Sequence, residues 1–281
     1  MKLSGKLTFF LPRIKHLILL IGMPRSGTTW IMELLETSIA KSASINEPFV
    51  GIKPLAYDRS MLLPVRPTNN NITARVISYL KSIFTKRYIS HRYFNNRKLI
   101  RLYKFFFANT LLVKFVRANR IVTKLIKTFE NAQILVINRN PLDVTISMLN
   151  HGNWNDSSNL NNKINIDDQE DFLSKTGVSI NQFLGLDNDL KLFLVNFYEY
   201  KILKGYESNP KVLYIDYDKA IKNPDIMYQK LHNFTKMKID KSNFYQAFKV
   251  KSFSTRTIKK VSTKYLEDKI NRKFSELKFD F

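Results

Sequence analysis

The segment Gly22-Met-Pro-Arg-Ser-Gly27-Thr-Thr29 restricts the fold more than any other part of the chain. It follows Leu17-Ile-Leu-Leu-Ile21, a short continuous apolar run that reads as a strand buried on both faces of a parallel sheet. It precedes Trp30, Ile31, Leu34, Leu35 and Ile39, which recur at helical spacing and leave Glu33 and Glu36 on the opposite side. Strand, tight loop with two glycines, and helix together make a phosphate-binding unit. Successive backbone N–H groups of such a loop can point at one anion, and the helix adds the positive end of its dipole. In loops that hold nucleoside triphosphates a lysine follows the second glycine directly; here that position is Thr28, and the cation, Arg25, lies inside the loop. The spacing predicts an anion, and the missing lysine argues against a triphosphate.

The same grammar occurs twice more. Ile134-Leu-Val-Ile137 is continuous and apolar and leads into Asn140-Pro141, a cap and a first-turn proline, with Asp143 placed to suit the helix dipole and Val144 and Met148 facing inward. Val212-Leu-Tyr-Ile215 is followed by Asn223, Pro224 and Asp225, with Met227, Leu231 and Phe234 on one helical face. Three strand-to-helix units predict an α/β fold. The basic stretch Ile72 to Phe129, which mixes apolar and cationic residues, reads as two or three helices; Gly152 to Asn165 reads as a loop, and Leu190, Leu194 and Phe197 as a further helix.

With 281 residues and 44% hydrophobic content the chain can bury a sizeable core, and we read residues 1–281 as one domain with a basic helical insertion at about 70–129. No run approaches the ~18 apolar residues of a membrane span, and Leu17–Ile21 lacks the length and cleavage site of a signal peptide. The absence of cysteine excludes disulfides, thiolate metal sites and cysteine nucleophiles, and suits a cytoplasmic protein, free or at the membrane surface. The formal charge of +23 predicts anionic partners without choosing among nucleotides, acidic polysaccharides, nucleic acids and anionic membranes. Sixteen Lys or Arg and no Asp or Glu fall between Arg59 and Phe129, so one region carries most of the excess.

Pro24-Arg-Ser-Gly-Thr-Thr-Trp30 resembles the 5′-phosphosulfate loop of sulfotransferases that use 3′-phosphoadenosine-5′-phosphosulfate. Asn138-Arg-Asn-Pro-Leu-Asp-Val-Thr-Ile-Ser147 is similar to the 3′-phosphate segment of that family, and Val212-Leu-Tyr-Ile-Asp-Tyr-Asp218 with Asn223-Pro224 to its third strand and helix. The resemblance implies a three-layer α/β/α fold with a central, mostly parallel sheet, of the P-loop-like sulfotransferase kind. It also implies adenosine 3′,5′-bisphosphate as product and no metal requirement. Pro24, Arg25, Ser26, Gly27, Thr28, Thr29 and Trp30 would hold the 5′ end of the donor, and Arg139 with Ser147 its 3′-phosphate. An arginine at a strand end and a serine in the second turn of the next helix can both face one phosphate. Tyr198 or Phe197 would stack on the adenine, and Arg256, in the basic segment Ser254 to Lys260, would close over the 3′-phosphate; the glycine usual there in cytosolic members is missing.

By the same resemblance Arg25 acts on the leaving phosphate. It stands where cytosolic members have lysine, which makes its contribution electrostatic and points to the tyrosylprotein, carbohydrate and bacterial branches. The acceptor hydroxyl needs a base, and Glu47 in Ser44-Ile-Asn-Glu-Pro-Phe49 is our choice, since Glu-Pro here is similar to a motif of carbohydrate and bacterial members. His91 is the alternative, at a spacing from Arg25 loosely like that of the cytosolic base, and His151, soon after Ser147, would line the acceptor cleft. The expected acceptor is a carbohydrate or glycolipid of anionic character, with peripheral membrane contact and without nucleic acid. Two rival readings differ in class: a P-loop kinase or NTPase that uses Asp216 as its metal-site aspartate, and an inactive basic protein that binds RNA or membrane.

Overall fold

The structure, a computed structural model, describes residues 14–48, 70–85, 98–151, 169–250 and 262–276. Five strands, β1 (His16–Gly22), β2 (Ser42–Asn46), β3 (Thr110–Phe115), β4 (Ala132–Asn138) and β5 (Val212–Asp216), form one sheet in the order β2-β3-β1-β4-β5. Every neighbouring pair is parallel. Strand alternation sorts the sheet's side chains into two cores: Leu19, Ile21, Ile134 and Val136 face one side, Ile18, Leu20, Leu135 and Ile137 the other. This is why the two central runs are continuously apolar.

Helices cover both faces, giving the expected three-layer α/β/α arrangement. On one side lie α1 (Thr28–Ser38), α10 (Pro224–Thr235) and α11 (Lys241–Phe248), which bury Leu34, Met227 and Phe244 against the sheet; the short α9 (Tyr217–Ala220) adds Tyr217 at its margin. The other side is thicker. There α2 (Asn70–Phe84), α3 (Lys98–Phe107), α4 (Val122–Thr128), α5 (Pro141–His151), α6 (Gln169–Thr176), α7 (Ile180–Leu184), α8 (Asn188–Lys204) and α12 (Thr263–Glu276) share a second core. Helix α8 lies within it, so that even Lys191, Asn196 and Glu199 are buried, and Glu199 is met by Arg120 at 3.0 Å and by the Asn119 amide at 3.1 Å.

One expectation needs correction. The stretch read as helical from Ile72 to Phe129 contains β3, which pairs with both β1 and β2 and is buried along its whole length. Lys114, fifth of six in a row of otherwise sheet-compatible residues, disguises it. Residues 152–165, expected to be a loop, lie outside the described residues.

Because β1 sends its chain to one side of the sheet and β4 lies on the other, a crevice opens at the C-terminal ends of β1 and β4. Gly22, Asn46, Phe115, Asn138 and Asp216 end their strands at that edge, and each delivers the following residues to it.

Candidate active site

The loop between β1 and α1 has the predicted form. Gly27 precedes α1 in left-handed geometry, with φ 93°, and no side chain caps the helix, so its first-turn N–H groups face outward without a protein acceptor from a cap. No acidic side chain occupies that first turn either. A Cβ on Gly27 would lie 2.2 Å from the Tyr217 ring, and one on Gly22 would lie 2.5 Å from Ile137 O. Glycine is needed at both places because neighbouring elements close in on the loop. Ser26 is fully buried and its hydroxyl donates to Met23 O at 2.7 Å, while Thr28 is buried and Thr29 half-buried; Ser26 therefore braces the loop from inside.

Arg25 also adopts left-handed geometry, with φ 68°, which turns its side chain toward α5. Its Nε donates to Ser147 Oγ at 3.0 Å. Arg139, at the end of β4, donates through Nη1 to Arg25 O at 3.3 Å, pairs with Asp218 at 3.5 Å, and lies 4.9 Å above the Tyr217 ring. Asp218 in turn accepts from Asn140 N at 3.1 Å, and Asn140 Oδ1 accepts from Leu142 N at 2.8 Å, which fixes the start of α5. Arg25, Arg139 and Ser147, distant in sequence, thus meet at one place. Burial and the nearby Arg139 both press the Arg25 guanidinium below its usual pKa. An anion between the two arginines would relieve that repulsion.

A second group converges from β2 and β3. Lys114 is 6% exposed, and its Nζ donates to Thr29 Oγ1 at 2.9 Å. Burial pushes its ammonium below the usual range, against the pull of Glu47 and Glu33. Glu47, in left-handed geometry just past β2, accepts from Val116 N through Oε1 at 2.6 Å, and Arg117 stands 3.8 Å from its Oε2. That second oxygen is buried with no hydrogen-bond partner among the described residues. Burial pushes the Glu47 carboxyl up, opposed by Lys114, Arg117 and the Val116 amide. A carboxylate with one oxygen held and the other unpartnered has the chemistry of a candidate base.

Lys114 and Tyr217 were not among the residues singled out from sequence. Lys114 had a signal only as a lone cation in an apolar run, and Tyr217 only as the first residue past a strand end. Tyr198 requires correction: it is 1% exposed, packs edge-on against Phe172 at 5.2 Å, and its hydroxyl donates to Asp171 at 2.6 Å. A ring so enclosed has no face for an adenine. Tyr217 is the aromatic ring beside the loop, edge-on to Trp30 at 5.7 Å, and Trp30 is itself mostly buried against Phe248. Pro24 lies half-buried in the loop. Phe197 lines a cavity of about 650 Å³ with Arg139, Tyr214, Asp218, Lys219 and Ile270. His91 and Arg256 lie outside the described residues. His151 closes α5 one turn beyond Ser147, and its Nδ1 is buried without a hydrogen-bond partner among the described residues. Asp216 accepts from Lys219 N at 3.1 Å and caps α9, on the edge strand and two strands from the loop, which leaves it poorly placed for a metal held at Thr28.

Fold and site define an α/β protein whose central crevice gathers cations around a glycine-framed loop. The sulfotransferase domain family matches residues 15–278, and the chain belongs to that family. Among solved structures the chain is similar to a sulfotransferase from Mycobacterium avium, at 13% identity over 97% of this chain and 79% of that one, with a TM-score of 0.44. It is similar also to one from Alicyclobacillus acidocaldarius (12% identity, 94% and 92% covered, TM-score 0.43). A mouse sulfotransferase solved in complex with PAP gives 18% identity, 97% and 85% covered, and a TM-score of 0.42. No curated protein matches the chain by sequence.

Proposed function

We propose that the chain moves the sulfuryl group of 3′-phosphoadenosine-5′-phosphosulfate to a hydroxyl of a carbohydrate or glycolipid acceptor. The observation that carries this reading is the junction of Arg25, Arg139 and Ser147 at 3.0 and 3.3 Å beside a loop that lacks the triphosphate lysine. Two arginines and a helix N-terminus suit a ligand with two separate phosphate groups. The residues fit such a donor: the uncapped start of α1 with Thr28 and Thr29 for the 5′ end, Arg139 and Ser147 for the 3′-phosphate, and Tyr217 for the purine. The donor supplies an activated sulfur–oxygen bond. Ser147 can keep accepting from Arg25 while its own O–H turns to a phosphate oxygen, because a hydroxyl both accepts and donates.

The residues then divide the chemistry. Glu47 takes the acceptor's proton as the acceptor oxygen bonds to sulfur. The bridging S–O bond breaks with its electron pair going to the 5′-phosphate, where Arg25 and the loop amides offset the charge. Lys114, tethered to Thr29, faces the region between loop and base and stabilises the equatorial oxygens of the transferred group. A carbohydrate acceptor is supported by the likeness of Glu47-Pro48 to carbohydrate and bacterial members and by the cationic stretch 59–129. Replacing Glu47 by Gln is expected to cut turnover by about 10²–10⁴-fold while bisphosphate affinity stays within about twofold. The assay uses sulfur-labelled donor with a panel of glycans, glycolipids and tyrosine peptides. Retained turnover in that variant, with loss in His151→Ala, would move the base to His151, whose buried Nδ1 favours that second reading.

A further inference from the structure

The strand N-termini of a wholly parallel sheet share one edge, here the edge opposite the crevice. Exposed lysines mark it: Lys15 ahead of β1, Lys41 ahead of β2, Lys211 ahead of β5, and Lys236 and Lys238 beyond α10. Backbone contacts knit these positions together. Asn109 N donates to Lys41 O at 3.0 Å and Lys15 N to Asn109 O at 2.7 Å. Ile39 bridges Ile239, and the Gln133 amide, at the start of β4, donates to Thr235 O. None of the five lysines forms an ion pair among the described residues.

Helix α3 ends at this edge, since Phe107 lies two residues before Asn109, and it carries an unusual pair. Tyr103 is 64% and Phe107 52% exposed, their rings 4.6 Å apart on one helical face, with Lys104 exposed beside them. Lysines at helix C-termini are explained by the helix dipole, which covers Lys104 and Lys236. It does not cover lysines placed ahead of strands, and it gives no reason to hold two large aromatic rings in water. Exposed acids at the edge include Glu130, Glu207 and Asp240; Glu207 is paired with Lys204 at 2.7 Å, and Asp240 is engaged in capping α11, accepting from Asn243 N at 2.7 Å.

Aromatic rings on the same sheet edge as lysines without ion-pair partners match the chemistry of an anionic bilayer surface: rings settle at the headgroup boundary while lysine stems reach acidic headgroups. We propose that the strand N-terminal edge is a docking surface for an anionic lipid bilayer, with Tyr103 and Phe107 entering the headgroup layer. Among the described residues no helix is long and apolar enough to cross a membrane, so the contact is peripheral. Docked this way, the crevice faces away from the bilayer, and acceptor reaches it from the solution side. The inference does not depend on the identity of the donor.

The test is co-sedimentation of the full chain with vesicles of phosphatidylcholine alone or mixed with phosphatidylglycerol, at low and at high salt. Binding is expected to the anionic vesicles only, with release at high salt. Tyr103→Ser with Phe107→Ser should weaken it by about fivefold or more at an unchanged melting temperature. In a second variant, Lys15→Gln, Lys41→Gln and Lys211→Gln should cost roughly fivefold per lysine. Equal binding to both vesicle types, no binding to anionic vesicles, or full binding by both variants would overturn the proposal. So would RNA that binds more tightly than vesicles and loses that binding in the same variants.

Discussion

Glu47 is held in a way that sets its pH behaviour. Its carboxyl is raised by burial and pulled back by Lys114, Arg117 and the Val116 amide, so the balance leaves it above the ordinary carboxylate range. A base works ionised, so activity is retained above the folded pKa and falls as pH drops through it; the acid limb of kcat/KM should lie above that of an ordinary carboxylate. Arg117→Met removes one of the groups that lower the pKa, and the limb should move to still higher pH, while Arg117→Lys should restore it in part. A limb that moves down, or stays, contradicts the role given to Glu47. Lys114→Met should cost about 10²-fold or more in kcat at little change in bisphosphate affinity, measured by single turnover and calorimetry. Glu47 could be singled out as a candidate base because Glu-Pro after a strand-like run is a compact local pattern. Lys114 could not be, since its place at the site rests on a contact with Thr29, 85 residues away, that no local spacing records. Tyr198 was singled out and Tyr217 was not for a related reason: both are aromatic residues near a strand, and only the packing shows that the Tyr198 ring is enclosed.

The elements were readable where local chemistry and tertiary role agree. Asn140-Pro141 opens α5 and Asn223-Pro224 opens α10, in the second case with the Asn223 side chain accepting from Ile226 N at 3.1 Å. The exception is β3, where a lysine interrupts the apolar run and the surrounding sequence is basic, so the periodicity resembled that of the helices around it. That strand lies inside the sheet between β2 and β1, and the lysine which hid it is the one that reaches Thr29 beside the loop. The loop itself offers a sharp test at this scale. Gly27→Ala places a methyl group against the Tyr217 ring and a non-glycine residue at φ 93°. It should lower stability by about 1–3 kcal/mol in denaturant unfolding and weaken bisphosphate binding more than tenfold. Adding Tyr217→Ala should recover the part of the stability loss due to the clash and leave the part due to the backbone. Full recovery would show that the left-handed geometry is unimportant.

For the whole molecule, charge and topology divide the labour. A parallel sheet gives two unlike edges: one gathers Arg25, Arg139, Lys114 and Glu47 from four strand ends, and the other carries exposed lysines and an aromatic pair. The +23 charge pointed to anionic partners but could not say which edge carries which cations, because net charge has no direction. On the proposed function the crevice holds a ligand with two phosphate groups and no triphosphate. Calorimetry of the purified full chain with adenosine 3′,5′-bisphosphate in the presence of EDTA, alongside ATP with magnesium, tests it most directly. We expect metal-independent binding of the bisphosphate, weakened at least about tenfold in Arg139→Met, and ATP binding weaker by a similar factor or more. Binding of ATP that requires magnesium and exceeds that of the bisphosphate would contradict it.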